Sequence, residues 1–104
     1  MFICTVVYRK LLCEGESGSI KCGVDQTIRI IRGKYGRSDS ATCWTGEGDN
    51  GATPCYSENT LLTVYEKCSG KQSCYLSASD SVFGNACSNS SSYLDVEYFC
   101  EGND

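Results

Sequence analysis

Apolar and polar residues alternate near both ends of this chain and recur at helical spacing in its middle. Thr5-Val6-Val7-Tyr8-Arg9-Lys10-Leu11 is rich in β-branched and aromatic residues and predicts a first strand. Glu14-Gly15-Glu16-Ser17-Gly18 reads as a polar turn, and Ser19-Ile20-Lys21-Cys22 as a short second strand. From Thr27 to Arg32, Ile28 and Ile30 alternate with Arg29, which predicts a third. Trp44 to Pro54 holds Gly46, Gly48, Asn50 and Gly51 and reads as loop. The rhythm changes at Ser57-Glu58-Asn59-Thr60, a capped helix start. Leu61, Leu62, Val64, Tyr65 and Cys68 then predict one helix over about residues 58 to 68. Gln72 to Ser77 reads as a strand, and Ser79 to Ser92, dominated by Ser, Asn, Gly and Asp, as a long structured loop. Tyr93 to Cys100 alternates strictly, with Leu94, Val96 and Tyr98 inward. Connections this short cannot make parallel crossovers, so the expectation is a small α+β domain with an antiparallel sheet.

Composition narrows the function classes. At 104 residues the chain makes one domain, 1–104, and no linker or repeat divides it. Nine cysteines mark a disulfide scaffold from an oxidising compartment, so a secreted, extracellular protein is expected. The N-terminus Met1-Phe2-Ile3-Cys4 lacks the basic start and long apolar run of a leader. A mature chain whose leader is missing is expected, with Met1 a candidate addition for expression. A net charge of −4 gives no reason to expect nucleic acid as a partner, and no apolar run is long enough for a membrane span. With no histidine, the commonest general base and metal ligand are missing. Asp80 and Asp95 are carboxylates without an evident nucleophile to serve, so an enzyme is not expected. Gly46-Glu47-Gly48-Asp49-Asn50 is acidic but lacks EF-hand spacing, so no metal or other cofactor is expected.

No two cysteines have CxxC spacing, which removes the zinc ribbon and the redox motif. Eight of them can form four bridges in 105 ways, and spacing alone suggests only a local Cys68–Cys74 bridge. The ninth carries information, because a leftover thiol in an oxidising compartment tends to find a partner chain. Cys4, near the chain start, is the residue chosen for an intermolecular disulfide in a homodimer. A free or artificially capped thiol is the alternative.

Five stretches in order resemble one family. They are Cys13-Glu14-Gly15; Gly33-Lys34-Tyr35-Gly36-Arg37; Cys68-Ser69-Gly70-Lys71-Gln72-Ser73-Cys74; Ala78 to Cys87; and Tyr93 to Cys100. Together, over about residues 4 to 100, they resemble the sea urchin egg lectin family, the rhamnose- or galactose-binding lectin domain also found in latrophilins. The resemblance implies the bridges Cys13–Cys43, Cys22–Cys100, Cys55–Cys87 and Cys68–Cys74. It also implies two small antiparallel sheets with one helix and long pinned loops, and Cys4 as an extra cysteine in a disulfide-linked dimer.

Sugar recognition needs donors and acceptors fixed at the spacing of ring hydroxyls, on a scaffold that loses little entropy on binding. The resemblance places Glu14 as a charged acceptor of sugar hydroxyls and Tyr35 as the aromatic of the pocket. Read without it, Glu14 is a solvated turn carboxylate and Tyr35 a core tyrosine. Arg37 is expected to brace loops through an internal ion pair. Two departures from the family pattern matter. Asn85 stands where the family has aspartate, with Ala86 for the proline that follows, and Ser92 stands where it has a sugar-binding lysine. Trading an ammonium for a hydroxyl costs on the order of 1–2 kcal/mol of binding. Asn89 falls where the family presents a glycine amide, and Asn89-Ser90-Ser91 is also an N-glycosylation pattern. A glycan there would block the pocket, so an unmodified Asn89 is expected.

The function expected from the resemblance is a lectin that binds galactose- or rhamnose-containing glycans and glycoproteins at Glu14, Tyr35, Asn85, Asn89 and Ser92. Without the lysine the reading leans toward galactosides. A bivalent dimer would crosslink glycans and agglutinate cells. The alternative is a protein-interaction (adhesion) module on the same scaffold, with sugar binding weakened or lost. A disulfide-rich inhibitor fits the cysteines, but no rigid basic loop stands out.

Overall fold

The computed structural model describes residues 6–37, 42–43, 55–85, 87 and 91–102. Eight elements follow in chain order: β1 (Tyr8–Cys13), β2 (Ser17–Lys21), β3 (Gln26–Arg37), β4 (Cys55–Tyr56), α1 (Thr60–Cys68), β5 (Ser73–Ser77), α2 (Asp80–Phe83) and β6 (Tyr93–Gly102). They make an α+β domain with two antiparallel sheets, a four-stranded one in the order β1-β6-β3-β4 and the pair β2-β5. No helix among the described residues is long and apolar enough to cross a membrane.

The alternating last strand is the centre of the larger sheet, because it alone has a long partner on each side. Leu94 pairs with Leu12 of β1 and Tyr35 of β3, and Val96 with Lys10 and Gly33. Both are fully buried, as are Ile20, Ile28, Tyr35, Val64 and Leu76, and these form one apolar cluster. Tyr98, on the same register, is half-buried and stacks on Tyr8 with ring centroids 5.6 Å apart.

α1 lies on β3 because its buried residues, Thr60, Val64 and Cys68, recur every four positions and make one face. Gly33 permits the contact: a Cβ there would stand 3.4 Å from the Leu61 backbone and 3.5 Å from Val64. The helix starts at Asn59 without the side-chain cap the sequence predicts. Instead the Thr60 hydroxyl donates to the Ser57 carbonyl at 3.2 Å. Its end is fixed to β3 by two backbone bonds, Gly70 N–H to Ile28 C=O and Ile28 N–H to Lys71 C=O.

Several boundaries differ from the sequence reading. β1 (Tyr8–Cys13) continues past the expected end at Leu11, because Leu12 and Cys13 still have partners in β6. β3 continues five residues past Arg32, since a bulge at Ile31 resets the register between Ile30 and Arg32. A two-residue strand, β4, closes on its end, with Gly36 opposite Tyr56. Gly36 has φ +151°, and a Cβ there would come within 2.8 Å of Tyr56 Cα, so only glycine fits. The stretch expected to be loop from Ser79 to Ser92 contains one helical turn, α2. The Trp44–Pro54 segment, the acidic stretch within it, Cys4 and Asn89 lie outside the described residues.

Four disulfides join Cys13 to Cys43, Cys22 to Cys100, Cys55 to Cys87 and Cys68 to Cys74, with Cα atoms 5.2–5.6 Å apart. Cys22–Cys100 closes the longest loop, 78 residues, and ties the end of β2 to β6. Each such link typically adds about 2–4 kcal/mol.

Candidate functional site

The turn after β1 sets the site. Glu16 is used up inside it: its Oε1 accepts from Cys13 N–H at 2.8 Å, and its own N–H donates to Cys13 C=O at 2.8 Å. Gly15, at φ +91°, reverses the chain and donates to the Ala78 carbonyl at 2.7 Å, while Ala78 N–H returns a bond to Glu16 C=O at 2.9 Å. The turn is thus pinned beside the segment that leads into α2.

Glu14, exposed at this turn, holds the start of β6. Its N–H donates to Ser92 C=O at 3.0 Å, and its Oε1 accepts from Ser92 N–H at 2.9 Å. One carboxylate oxygen therefore has a fixed position, and the other makes no hydrogen bond among the described residues. That is an oriented acceptor at the surface.

Behind it stands Tyr35. Its ring is fully buried and stacks on Phe83 of α2 with centroids 5.1 Å apart. Its hydroxyl donates to Asp80 Oδ1 at 2.8 Å. Burial raises the phenol's pKa well above the ordinary value near 10; the Asp80 bond and charge, and then the charge of Glu14, raise it further. The side chain of Ser92 opposes this rise. Ser92 is fully buried, and its hydroxyl has no partner among the described residues.

Glu14, Tyr35 and Ser92 come together, and Asp80 joins them. Asn85 does not join this group by any hydrogen bond: it is exposed just past α2. Tyr35 and Ser92 sit behind the surface rather than on it, so Glu14 is the member that meets solvent. Arg37 is buried and braces the start of β6: its Nε donates to Ser91 C=O at 2.8 Å and its guanidinium lies 5.5 Å over the Tyr93 ring. Asp80 was legible only as an isolated carboxylate. The Ser-Asp pair ahead of Ser81-Val82-Phe83 is a helix-start signal that would have put it beside a packed Phe83.

A second feature lies elsewhere. Ile30, Ile31, Leu61, Leu62 and Tyr65 line an open groove of about 440 Å³ between β3 and α1. It is mostly apolar and shares no residue with the polar cluster. Sugar hydroxyls need directed acceptors, so the chemistry favours the Glu14 end.

Residues 20–100 match the model of the D-galactoside/L-rhamnose binding SUEL lectin domain. The chain belongs to this family. It is 40% identical over 95% of its length to a rhamnose-binding lectin of Silurus asotus, and 36% identical over 97% to an L-rhamnose-binding lectin of Oncorhynchus keta. It spans only about a third of each of those proteins, 32% and 35%. An L-rhamnose-binding lectin of Echinometra lucunter is 36% identical over 88% of this chain, which covers 89% of that protein. A Latrophilin Cirl of Drosophila mojavensis matches at 34% over 85% of the chain, covering 5% of it. The SUEL lectin fold is thus shared with sugar-binding proteins and with a far longer chain.

Proposed function

We propose that this SUEL domain binds galactoside or rhamnose-type sugars through a shallow site centred on Glu14, and crosslinks glycans as a secreted homodimer linked through Cys4. The observation that carries the reading is the Glu14 carboxylate, fixed by Ser92 N–H through one oxygen and facing solvent. A charged acceptor held in place binds a hydroxyl more strongly than a mobile one. Tyr35, braced by Asp80 and Phe83, supports the floor of that site. In this reading Asn85 and Asn89 are further sugar contacts carried over from the family pattern. With serine at position 92, no ammonium contacts the sugar there, so affinity is lower than the family pattern implies.

The bivalent part has its own test. Galactose or lactose inhibits agglutination of red cells by the intact protein. Cys4→Ser leaves the monomer folded and abolishes agglutination; undiminished agglutination by that variant would refute the crosslinking mechanism.

The groove beside α1 favours a second reading, an adhesion module. Leu61, Leu62 and Tyr65 are each about half exposed, at 47%, 58% and 54%. Binding to no sugar on a glycan array would support this reading over the first.

A further inference from the structure

β1 is an outer strand of the larger sheet: β6 pairs with one side of it, and no strand among the described residues pairs with the other. Along an antiparallel strand, residues that bond the strand opposite alternate with residues that turn N–H and C=O away from it. The turn after β1 shows which are which. Cys13 donates its N–H to Glu16 Oε1 and accepts from Glu16 N–H, so its backbone faces away from β6. Glu14, next to it, donates to Ser92 on the β6 side. Counting back in twos, Leu11 and Arg9 also turn N–H and C=O outward, and these groups have no partner among the described residues.

The side chains leave this edge open to pairing. Val6, Val7, Tyr8 and Leu11 are 40–59% exposed, an apolar run along the strand. Charged residues ordinarily guard such an edge. Here Arg9 is neutralised within its own chain, its Nε and Nη2 donating to the two oxygens of Asp95 at 2.8 Å. Lys10 lies over Gly18, where a Cβ would come within 3.1 Å of its Cε, and makes no ion pair among the described residues.

We infer that this edge takes a second copy of the chain, the two β1 strands pairing antiparallel about a two-fold axis at Arg9. The sequence is self-complementary in that register. Val7 falls opposite Leu11 of the second copy, apolar on apolar, and Tyr8 opposite Lys10 of the second copy, a ring beside an ammonium. Symmetry makes each of these pairs twice. Arg9 meets Arg9 of the second copy and exchanges the outward backbone bonds with it, while each guanidinium stays with its own Asp95. A two-fold at Lys10 would set two ammoniums opposite each other, and one at Tyr8 would set Val7 against Arg9. One short strand pair covers less than the ~800 Å² per partner of a stable dimer, so the association is weak. It is separate from the sugar site and from the Cys4 link, and at the dilutions used for agglutination it leaves the Cys4→Ser variant monomeric.

The test uses the full chain carrying Cys4→Ser, so that no covalent dimer contributes. In sedimentation equilibrium its weight-average mass should climb from one chain toward two between about 10 μM and 1 mM. Over the same range the amide protons of Arg9 and Leu11 should exchange more slowly with solvent. Leu11→Lys leaves the bonds to β6 in place and should weaken association roughly tenfold, because it sets a charge against Val7 twice per dimer. Adding Val7→Glu to that variant should restore association, since opposite charges then face each other across the two-fold. A chain that stays monomeric at about 1 mM would overturn the inference. So would association untouched by Leu11→Lys, or a double variant that fails to recover it. Association lost instead on Tyr65→Lys, in the groove beside α1, would assign the contact to that groove and overturn it as well.

Discussion

Where α1 lies on β3, the contact is close and apolar: Val64 and Ile28 are fully buried, and Gly33 lets the helix backbone approach. At the other end, where the β1–β2 turn meets α2 and β6, what is buried is a phenol, a serine and an arginine, held by directed bonds. Apolar burial is non-directional, so the first region supplies stability and tolerates any filling of similar volume. Directed bonds supply little net stability and fix orientation instead. Substitutions in the first region should therefore move stability ahead of binding, and those in the second should do the reverse.

The largest stability effect belongs to the apolar region. Ile28→Ala should cost about 2–5 kcal/mol in denaturant unfolding, while the folded fraction keeps its sugar affinity. A tenfold affinity loss in that variant would erase the distinction between the regions.

Tyr35→Phe comes next. The ring still packs on Phe83 but the bond to Asp80 is lost, for about 1–2 kcal/mol of stability. Its sugar affinity, read by calorimetry, should fall about threefold or more, where that of Ile28→Ala stays unchanged.

The same residue gives an alkaline signature. A phenol whose pKa is raised by folding holds its proton longer in the native state than in the unfolded one. Its contribution is therefore intact below about pH 10 and falls by up to ~1.4 kcal/mol per pH unit above it. Tyr98 is raised as well, again chiefly by burial, so Tyr35→Phe should remove part of the loss and leave the remainder. Stability measured between pH 9 and 11 reads this directly, and a variant that follows the parent curve throughout would contradict it.

Glu14→Gln should change stability least, by about 0.5 kcal/mol or less, because the side-chain oxygen is kept for Ser92 N–H. Its effect should appear in binding, as roughly fivefold weaker galactose affinity.

How much of this was legible depended on the range of the interaction. Alternation revealed β6 because Leu94 and Val96 face one core, and helical spacing revealed α1 through Val64 and Cys68. The bulge at Ile31 was invisible, since a one-residue insertion resets a pattern without breaking it. β4 was too short to show any period. The polar cluster was the least legible. Its members stand at positions 14, 35, 80 and 92, and only the folded chain places Asp80 against Tyr35. Family resemblance pointed to Glu14 and Tyr35; spacing did not. It also treated Ser92 as a surface donor, whereas its hydroxyl faces inward and its N–H is what holds Glu14.

The most direct test is a crystal structure of the protein soaked with galactose and, separately, with L-rhamnose. The account predicts a ring hydroxyl donating to the carboxylate oxygen of Glu14 that Ser92 leaves open, with Tyr35 still bonded to Asp80 beneath it. Sugar seated instead in the Ile30–Leu61 groove, or no sugar at either place at saturating concentration, would contradict it.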